Sequence, residues 1–358
     1  MLFNLDAKNR IYTSAPIVVF CIFLFGFLLS FFGVADRALS NQFMVSVAVL
    51  FLIYPIHRYQ IDIDRIVKRS GMWLSVFTGV FFLAVVTFPG NPISNVLTFI
   101  FDNYSAGSYG LRDFSEEATL SFHIGTVPFL YLPFALFFLS YLKDKKRKNI
   151  LGMLVIFPAI VASASRGLWM VSLISLIVIY FLNLRLSTKI IFVLISIPIV
   201  VSVFGYLIAN TVLFSSGEES NSVKIGHITS FFDQLDWTNF FIGNGLASFY
   251  YSSGSGVMKA HTEVTPLDML RYFGFILTPI LYTAIFFPIK NLRAYIGENR
   301  FYTLIFVLYL INSFTNPIMF NSYGLLTVLW YWSKILNSEK PLQPGSDSNI
   351  DVWKPVVI

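Results

Sequence analysis

Apolar runs of about 17–25 residues recur along nearly the whole chain, and they constrain its fold more than any other feature. A run of that length crosses the hydrocarbon of a membrane as a single helix. Charged residues make up only 12% of the 358 residues, about half the share found in soluble domains, and the mean hydropathy is +0.71. The sequence therefore predicts an all-α polytopic membrane protein.

Ten spans are predicted, at about 15–33, 40–56, 71–89, 118–141, 149–164, 168–184, 190–213, 266–289, 301–317 and 322–336. Basic residues cluster in alternate gaps, so that nineteen of the 25 lysines and arginines fall on one side. The positive-inside rule makes that side the cytoplasm and places both termini there. Residues 1–340 then form one membrane domain with outer loops at about 90–117 and 214–265, and 341–358 form a cytoplasmic tail.

The sequence lacks the residue patterns of several common types of active site. The single cysteine, Cys21, lies inside the first span, and His227 and His261 are separated by 34 positions without zinc-type partners. The chain has no P-loop, G-x-G-x-x-G or Ser-His-Asp motif. We therefore expect neither a metal nor a cofactor. The net charge of +6 follows the membrane topology, so we expect no nucleic-acid partner.

Six basic residues fall on the outer side against the topological bias: Arg37, Arg112, Arg166, Lys224, Lys259 and Arg271. Arg166 stands in a small-residue turn between spans five and six. Only 36 residues separate Lys148 from Arg185, so the two helices barely cross the hydrocarbon and the turn should lie slightly below the outer surface. An arginine there is costly unless it faces a wet cavity or an anion. The alternatives are an interfacial anchor and a structural ion pair.

The first outer loop ends with Arg112, Glu116 and Glu117, just before span four. Two acids at this point are typical of a helix N-terminus, where they interact favourably with the helix dipole. The same groups are also suited to binding phosphate and to accepting a proton. Both interpretations remain open.

The second outer loop is about 50 residues long, which favours a lid or binding element over a simple connection. Residues 224–237 carry apolar side chains at 225, 228, 231, 232 and 235, which predicts an amphipathic helix. Thr265 and Asp268 are typical of a helix start, with Thr265 as N-cap. His261 precedes this start and Arg271 follows it. His261 is a candidate base, and the alternative is an interfacial histidine.

This set of groups restricts the chemistry on the outer face. Because no motif for ATP is present, the substrate must arrive already activated. A lipid-linked sugar diphosphate meets this condition, since the diphosphate is its own leaving group. One guanidinium group can bind two phosphate oxygens at once through parallel hydrogen bonds. A histidine or glutamate can accept the proton of an attacking hydroxyl.

Several segments, in order along the chain, carry a family resemblance: Arg112–Glu117, Ser165-Arg166-Gly167, Phe241–Phe249 (FIGNGLASF), His261 with Leu267–Gly274, and Thr315-Asn316-Pro317. Together they resemble the motifs of the O-antigen polymerase (Wzy) family, within the O-antigen ligase and polymerase superfamily of membrane glycosyltransferases. The loop at 112–117 departs from the family pattern in its glycine and in its Glu-Pro-Ser. Lys224 stands where members often carry arginine.

The resemblance implies a GT-C-like fold in the bacterial inner membrane, with its active site facing the periplasm. It implies an inverting, metal-independent transfer of a growing glycan from undecaprenyl diphosphate onto the non-reducing end of a lipid-linked repeat unit. A chain-length determinant protein is the expected partner, beside the lipid-linked oligosaccharide and membrane lipid.

The resemblance also suggests roles for individual residues. The diphosphate-binding candidates are Arg166, Arg271, Arg112 and Lys224. The candidate bases are His261, Glu117 and Glu116. The alternative functions are an O-antigen ligase acting on the lipid A core and a flippase or transporter of lipid-linked oligosaccharides.

Overall fold

The computed structural model describes residues 7–87, 90–92, 94–96, 99, 107–113, 118–163, 165–210, 219–262, 264–290, 292–313 and 317–337. Most of these residues are helical. Five helical segments within these ranges are long and apolar enough to cross a membrane: Arg37–Tyr59, Ile63–Ala84, Val127–Asp144, Arg166–Asn183 and Thr265–Ile289. The helical, membrane-spanning character predicted from the sequence is therefore confirmed. The tail 341–358 lies outside the described residues.

The described residues form helices and two antiparallel pairs of strands. In order they are α1 (Ala7–Leu29), α2 (Arg37–Ala48), α3 (Ile53–Tyr59), α4 (Ile63–Thr87), β1 (Gly107–Asp113), β2 (Ala118–Ile124), α5 (Tyr131–Asp144), α6 (Arg147–Ala162), α7 (Arg166–Asn183), α8 (Leu186–Asn210), α9 (Glu219–Asp233), α10 (Trp237–Ile242), β3 (Tyr250–Ser252), β4 (Val257–Lys259), α11 (Thr265–Phe286), α12 (Asn299–Ser313) and α13 (Ser322–Asn337).

The chain divides into two compact units. The first unit comprises Met1–Val67 and Glu219–Ser338, and the second comprises Lys68–Glu218 and Glu339–Ile358. The first unit thus holds α1 to α3, the start of α4, and everything from α9 onward. The second holds the rest of α4, the β1–β2 hairpin and α5 to α8.

Aromatic side chains fill the core of the first unit. The ring of Phe23 in α1 lies 5.0 Å from that of Phe273 in α11 and 5.4 Å from that of Phe320. The rings of Phe306 in α12 and Tyr331 in α13 stack with their centroids 4.2 Å apart. Because each aromatic side chain buries about 150–250 Å², these contacts hold α1, α11, α12 and α13 together.

The second unit corrects the predicted start of span four at residue 118. Residues 118–124 form strand β2, which pairs antiparallel with β1 in a register that joins Gly107 to Ile124 and Asp113 to Ala118. The membrane-length helical segment begins only at Val127. The sequence ATLSFHI alternates apolar and polar residues, and this period of two favours a strand over a helix.

Each of the ten predicted spans overlaps a helix, but several of these helices are short. α6, α12 and α13 have 16, 15 and 16 residues. A helix needs about 20 apolar residues to cross the hydrocarbon without tilting. Length and composition therefore support five spans directly.

Helix α11 is broken at Gly274. This residue has φ 68° and ψ 179°, a conformation outside the helical region and available in practice only to glycine. A Cβ atom at this position would lie 2.3 Å from the carbonyl oxygen of Phe241. The break therefore depends on glycine, both for its backbone angles and for the close approach of α10.

We expect the Gly274→Ala substitution to destabilise the protein by about 2–4 kcal/mol, since backbone strain adds to a clash with main-chain atoms. The matched control is Gly79→Ala in α4, where a Cβ would meet no atom within 4 Å. That change should be neutral or stabilising by about 0.5–1 kcal/mol. Thermal unfolding of the purified variants measures both, and equal midpoints would contradict the role given to Gly274.

Candidate functional site

The segment Gly243–Phe249 is bound to the break in α11 through main-chain hydrogen bonds. Asn244 N donates to the carbonyl of Arg271 at 2.7 Å, and Gly245 N donates to that of Tyr272 at 3.1 Å. In an uninterrupted helix these carbonyls would accept from residues 275 and 276. The loop thus satisfies polar groups that the break would otherwise leave without partners.

The same segment is also fixed to the connection between α1 and α2. Leu246 N donates to Gly26 O at 2.8 Å, and Ser40 Oγ donates to Leu246 O at 2.9 Å. Two further main-chain bonds, Phe249 N to Val34 O and Asp36 N to Ala247 O, are each 3.0 Å long. The segment Gly243–Phe249 is therefore an integral part of the first unit.

Arg271 is buried at the centre of this arrangement. Its Nη1 donates to the carbonyls of Ser248 at 2.6 Å and Lys259 at 3.2 Å, and its Nη2 donates to that of Ala260 at 2.7 Å. Nη2 also forms an ion pair with Asp268 Oδ1 at 3.0 Å. One guanidinium group therefore joins α11 to both ends of the β3–β4 hairpin.

Asp268 has a different role from the one that its position predicts. Its Oδ2 accepts a hydrogen bond from Thr262 N at 2.7 Å, while its Oδ1 binds Arg271. The residue at the N-cap position of α11 is Val264, not Thr265, and it makes no side-chain capping bond. Asp268 thus holds the chain beside His261 instead of capping the helix.

Two tyrosines and a histidine extend this buried network. The guanidinium carbon of Arg271 lies 4.3 Å from the ring centroid of Tyr250 and 4.9 Å from that of Tyr272. The Nδ1 atom of His227 lies 3.0 Å from the Tyr250 hydroxyl and 2.6 Å from Ser252 Oγ. Burial raises the pKa of Tyr250 to about 12, so its hydroxyl keeps a proton at neutral pH.

His227 and Tyr250 were not among the predicted site residues. The only sequence signal for them is the spacing of polar residues in α9: His227 and Ser230 are three positions apart and both lie on the buried face of this helix. A helix covers residues 224–233 of the predicted segment 224–237, since α9 ends at Asp233. However, Ile225, Ile228 and Phe232 are 57%, 41% and 62% exposed, and the buried residues of α9 include the polar His227 and Ser230 beside Phe231. Gly226, close to Gly254, lets the two backbones approach.

The other predicted residues lie as follows. The side chain of His261 is exposed next to the anchored Thr262, and Lys224 is half-buried in α9, both in the first unit. Arg166 is half-buried and is the first residue of α7, in the second unit. Arg112 lies in β1. Glu116, Glu117, Thr315 and Asn316 lie outside the described residues.

An apolar cleft and a polar cavity occupy the first unit. The cleft has a volume of about 410 Å³ and is lined by Cys21, Ile22 and Phe25 of α1, Phe241 and Ile242 of α10, and Ile276 of α11. The cavity has a volume of about 200 Å³, and Gln234, Asn239, Asn244, Phe249, Tyr250 and Arg271 contribute to its wall. Residues 239–244 thus contribute to both spaces.

Within the described residues, no group of three or more histidine, cysteine, aspartate or glutamate side chains is placed to hold a metal ion. Comparison with models of known protein families, with curated proteins and with solved structures gave no match.

We expect Arg271→Gln to destabilise the protein by about 3–5 kcal/mol, because it leaves the Asp268 carboxylate buried without its cation. Arg65→Gln is the matched control. Arg65 also pairs with an aspartate three residues away, but both side chains are more than half exposed. That change should cost at most about 1 kcal/mol. Similar losses of thermal stability in the two variants would contradict the structural role of Arg271.

Proposed function

We propose that this chain is a membrane glycosyltransferase of the O-antigen polymerase type. It takes a growing glycan from undecaprenyl diphosphate and passes it to the non-reducing end of a lipid-linked repeat unit. The observation that carries the proposal is a pair of spaces lined by different residues of one segment: Phe241 and Ile242 line the cleft, and Asn239 and Asn244 line the cavity. An apolar cleft beside a polar cavity suits a substrate with a lipid tail and a hydrophilic head.

The proposed topology is the one that the charge distribution favours. Ten helices cross the bacterial inner membrane, both termini are cytoplasmic, and the loops at about 90–117 and 214–265 face the periplasm. The cavity, the β3–β4 hairpin and His261 all belong to the second of these loops or to its junction with α11. A chain-length determinant protein acts with the polymerase in the membrane.

In the proposed reaction, a sugar hydroxyl of the repeat unit attacks the anomeric carbon of the growing glycan. The new glycosidic bond forms as the bond from that carbon to the diphosphate breaks, and the hydroxyl proton passes to a base. Inversion follows from attack on the face opposite the leaving group. The lipid diphosphate departs with the bonding electrons, so cations around it lower the barrier.

Arg166 is the first choice for binding the diphosphate, because the main-chain N–H groups at the start of α7 add to its charge. Lys224 and Arg112 are further candidates. Arg271 has a smaller part than the sequence predicts, since carbonyls and Asp268 already engage Nη1 and Nη2. We assign it the task of holding the chain that carries His261. His261 remains the first candidate base, followed by Glu117 and Glu116.

One observation favours a second candidate function, a flippase or transporter of lipid-linked oligosaccharides. Helix α11 is discontinuous at Gly274, and a buried ion pair lies in its first half. Discontinuous helices and intramembrane charges are typical of transporters. In this chain, however, the loop and the ion pair satisfy the polar groups around the break. These bonds are equally compatible with a rigid wall of an active site that does not move during the reaction. A ligase would differ in its acceptor, the lipid A core.

Purified protein in nanodiscs should convert undecaprenyl-diphosphate-linked repeat units into a ladder of longer glycans without nucleotide or added metal. The donor is already activated, so no other energy source is needed. Gel electrophoresis of the released glycans measures the product. Transport of the substrate into vesicles without a ladder would favour the flippase, and transfer only to an added lipid A core would favour the ligase.

Arg166→Gln should lower the initial polymerisation rate about 100-fold or more, because one cation that stabilises the leaving diphosphate is lost. Arg185→Gln, beyond the other end of α7, is the control and should leave the rate unchanged, since Arg185 is exposed on the cytoplasmic side in the proposed topology. Full-length polymer from Arg166→Gln would remove Arg166 from the diphosphate site.

His261→Gln should lower the rate about 100-fold while leaving thermal stability unchanged, because the imidazole is exposed and acts as the base. Lys259→Gln, at the end of β4 and two residues before His261, is the control and should keep the wild-type rate. A fully active His261→Gln variant together with an inactive Glu117→Gln variant would assign the base to Glu117.

A further inference from the structure

The polar cavity is built from amides and aromatic rings. At about 200 Å³ it is smaller than the roughly 300–1,000 Å³ of pockets that enclose drug-sized ligands, so it can hold one small ring but not an oligosaccharide. Phe249 and Tyr250 supply aromatic surface, while Asn239 and Asn244 supply amide groups. Flat apolar surface beside amide groups complements a ring that has C–H faces and hydroxyl edges.

The charge in the wall of the cavity is already compensated. Arg271 is the cation there, and the carboxylate of Asp268 lies 3.0 Å from its Nη2. Its Nη1 and Nη2 also donate to three main-chain carbonyls. A diphosphate group would have to compete with these partners. The cavity therefore favours a ligand without net charge.

The two asparagines leave hydrogen-bonding atoms for such a ligand. Asn239 Nδ2 donates to Asp236 Oδ2 at 2.7 Å, and no described residue donates to its Oδ1. The main chain of Asn244 is fixed by the bond to Arg271 O, but no described residue bonds its side-chain amide. Asn244 can thus donate and accept, and Asn239 can accept, as sugar hydroxyls require.

From these observations we infer that the cavity is a binding subsite for a single uncharged sugar ring, distinct from the site that holds the diphosphate. The inference rests on the proposed function in that the ring belongs to a lipid-linked glycan. It deepens that function by assigning specificity for the sugar to Asn244 and Asn239, and by assigning the diphosphate to other residues.

Free monosaccharides provide the probe. Saturation-transfer NMR on the protein in nanodiscs is carried out with D-glucose, D-galactose, D-mannose, L-rhamnose, N-acetyl-D-glucosamine and N-acetyl-D-galactosamine. At least one should bind. Its affinity should fall about three- to tenfold in Asn244→Leu, which keeps the branched shape of the side chain but loses the hydrogen bonds. Asn41→Leu, at an exposed amide in α2, is the matched control and should bind like the wild type.

Asn244→Ala provides a second variant if the leucine variant fails to fold, and thermal unfolding monitors both. Inorganic pyrophosphate is added as a competitor and should not displace the sugar. The inference is overturned if no sugar of the panel binds, if binding survives unchanged in the folded Asn244 variant, or if pyrophosphate displaces the sugar.

The polymerisation assay, run on the same preparations, separates this inference from the proposed function. A glycan ladder without sugar binding at the cavity refutes the subsite alone. Sugar binding without a ladder refutes the polymerase alone and leaves a sugar-binding membrane protein.

Discussion

The ion pair between Asp268 and Arg271 supports the whole region around the candidate site. Two buried charges are costly in a membrane protein unless they are paired and hydrogen-bonded, and here both are. Asp268 engages Thr262 N and the guanidinium, and Arg271 engages three carbonyls from Ser248 to Ala260. The pair thus organises a hairpin that contains little apolar core of its own, and it sets the path of the chain on which His261 lies.

The sequence was informative where the physics is local. Apolar length predicts helices, and each of the ten predicted spans overlaps a helix. The reading was wrong at residues 118–124, where a period of two was assigned to the start of a helix. The sequence could not reveal which face of α9 packs inward. That choice depends on Tyr250, Ser252 and Ser253, residues that are distant in sequence and polar themselves.

The site was predicted unevenly for a similar reason. His261 and Arg271 could be singled out from the sequence, because charged groups are rare beside an apolar span. The sequence could not show that Arg271 is buried and His261 exposed, since the partners of Arg271 are main-chain carbonyls that carry no residue-specific signal. Asn244 was hidden within a glycine-rich motif. Its importance becomes visible only when the cavity beside it is known.

The break at Gly274 also has a consequence for the order in which the chain assembles. An ordinary helix completes its hydrogen bonds among neighbours in sequence. Here the carbonyls of Arg271 and Tyr272 in α11 are bonded only when the N–H groups of Asn244 and Gly245 reach them. The adjoining Leu246 is in turn bonded to Ser40, which is 206 residues away in the sequence. Contacts of such long separation form late, because a long loop must close before they contribute. The groups on α1 and α2 that bind the loop, such as Gly26 O and Ser40 Oγ, therefore stay without these partners until most of the protein has been synthesised.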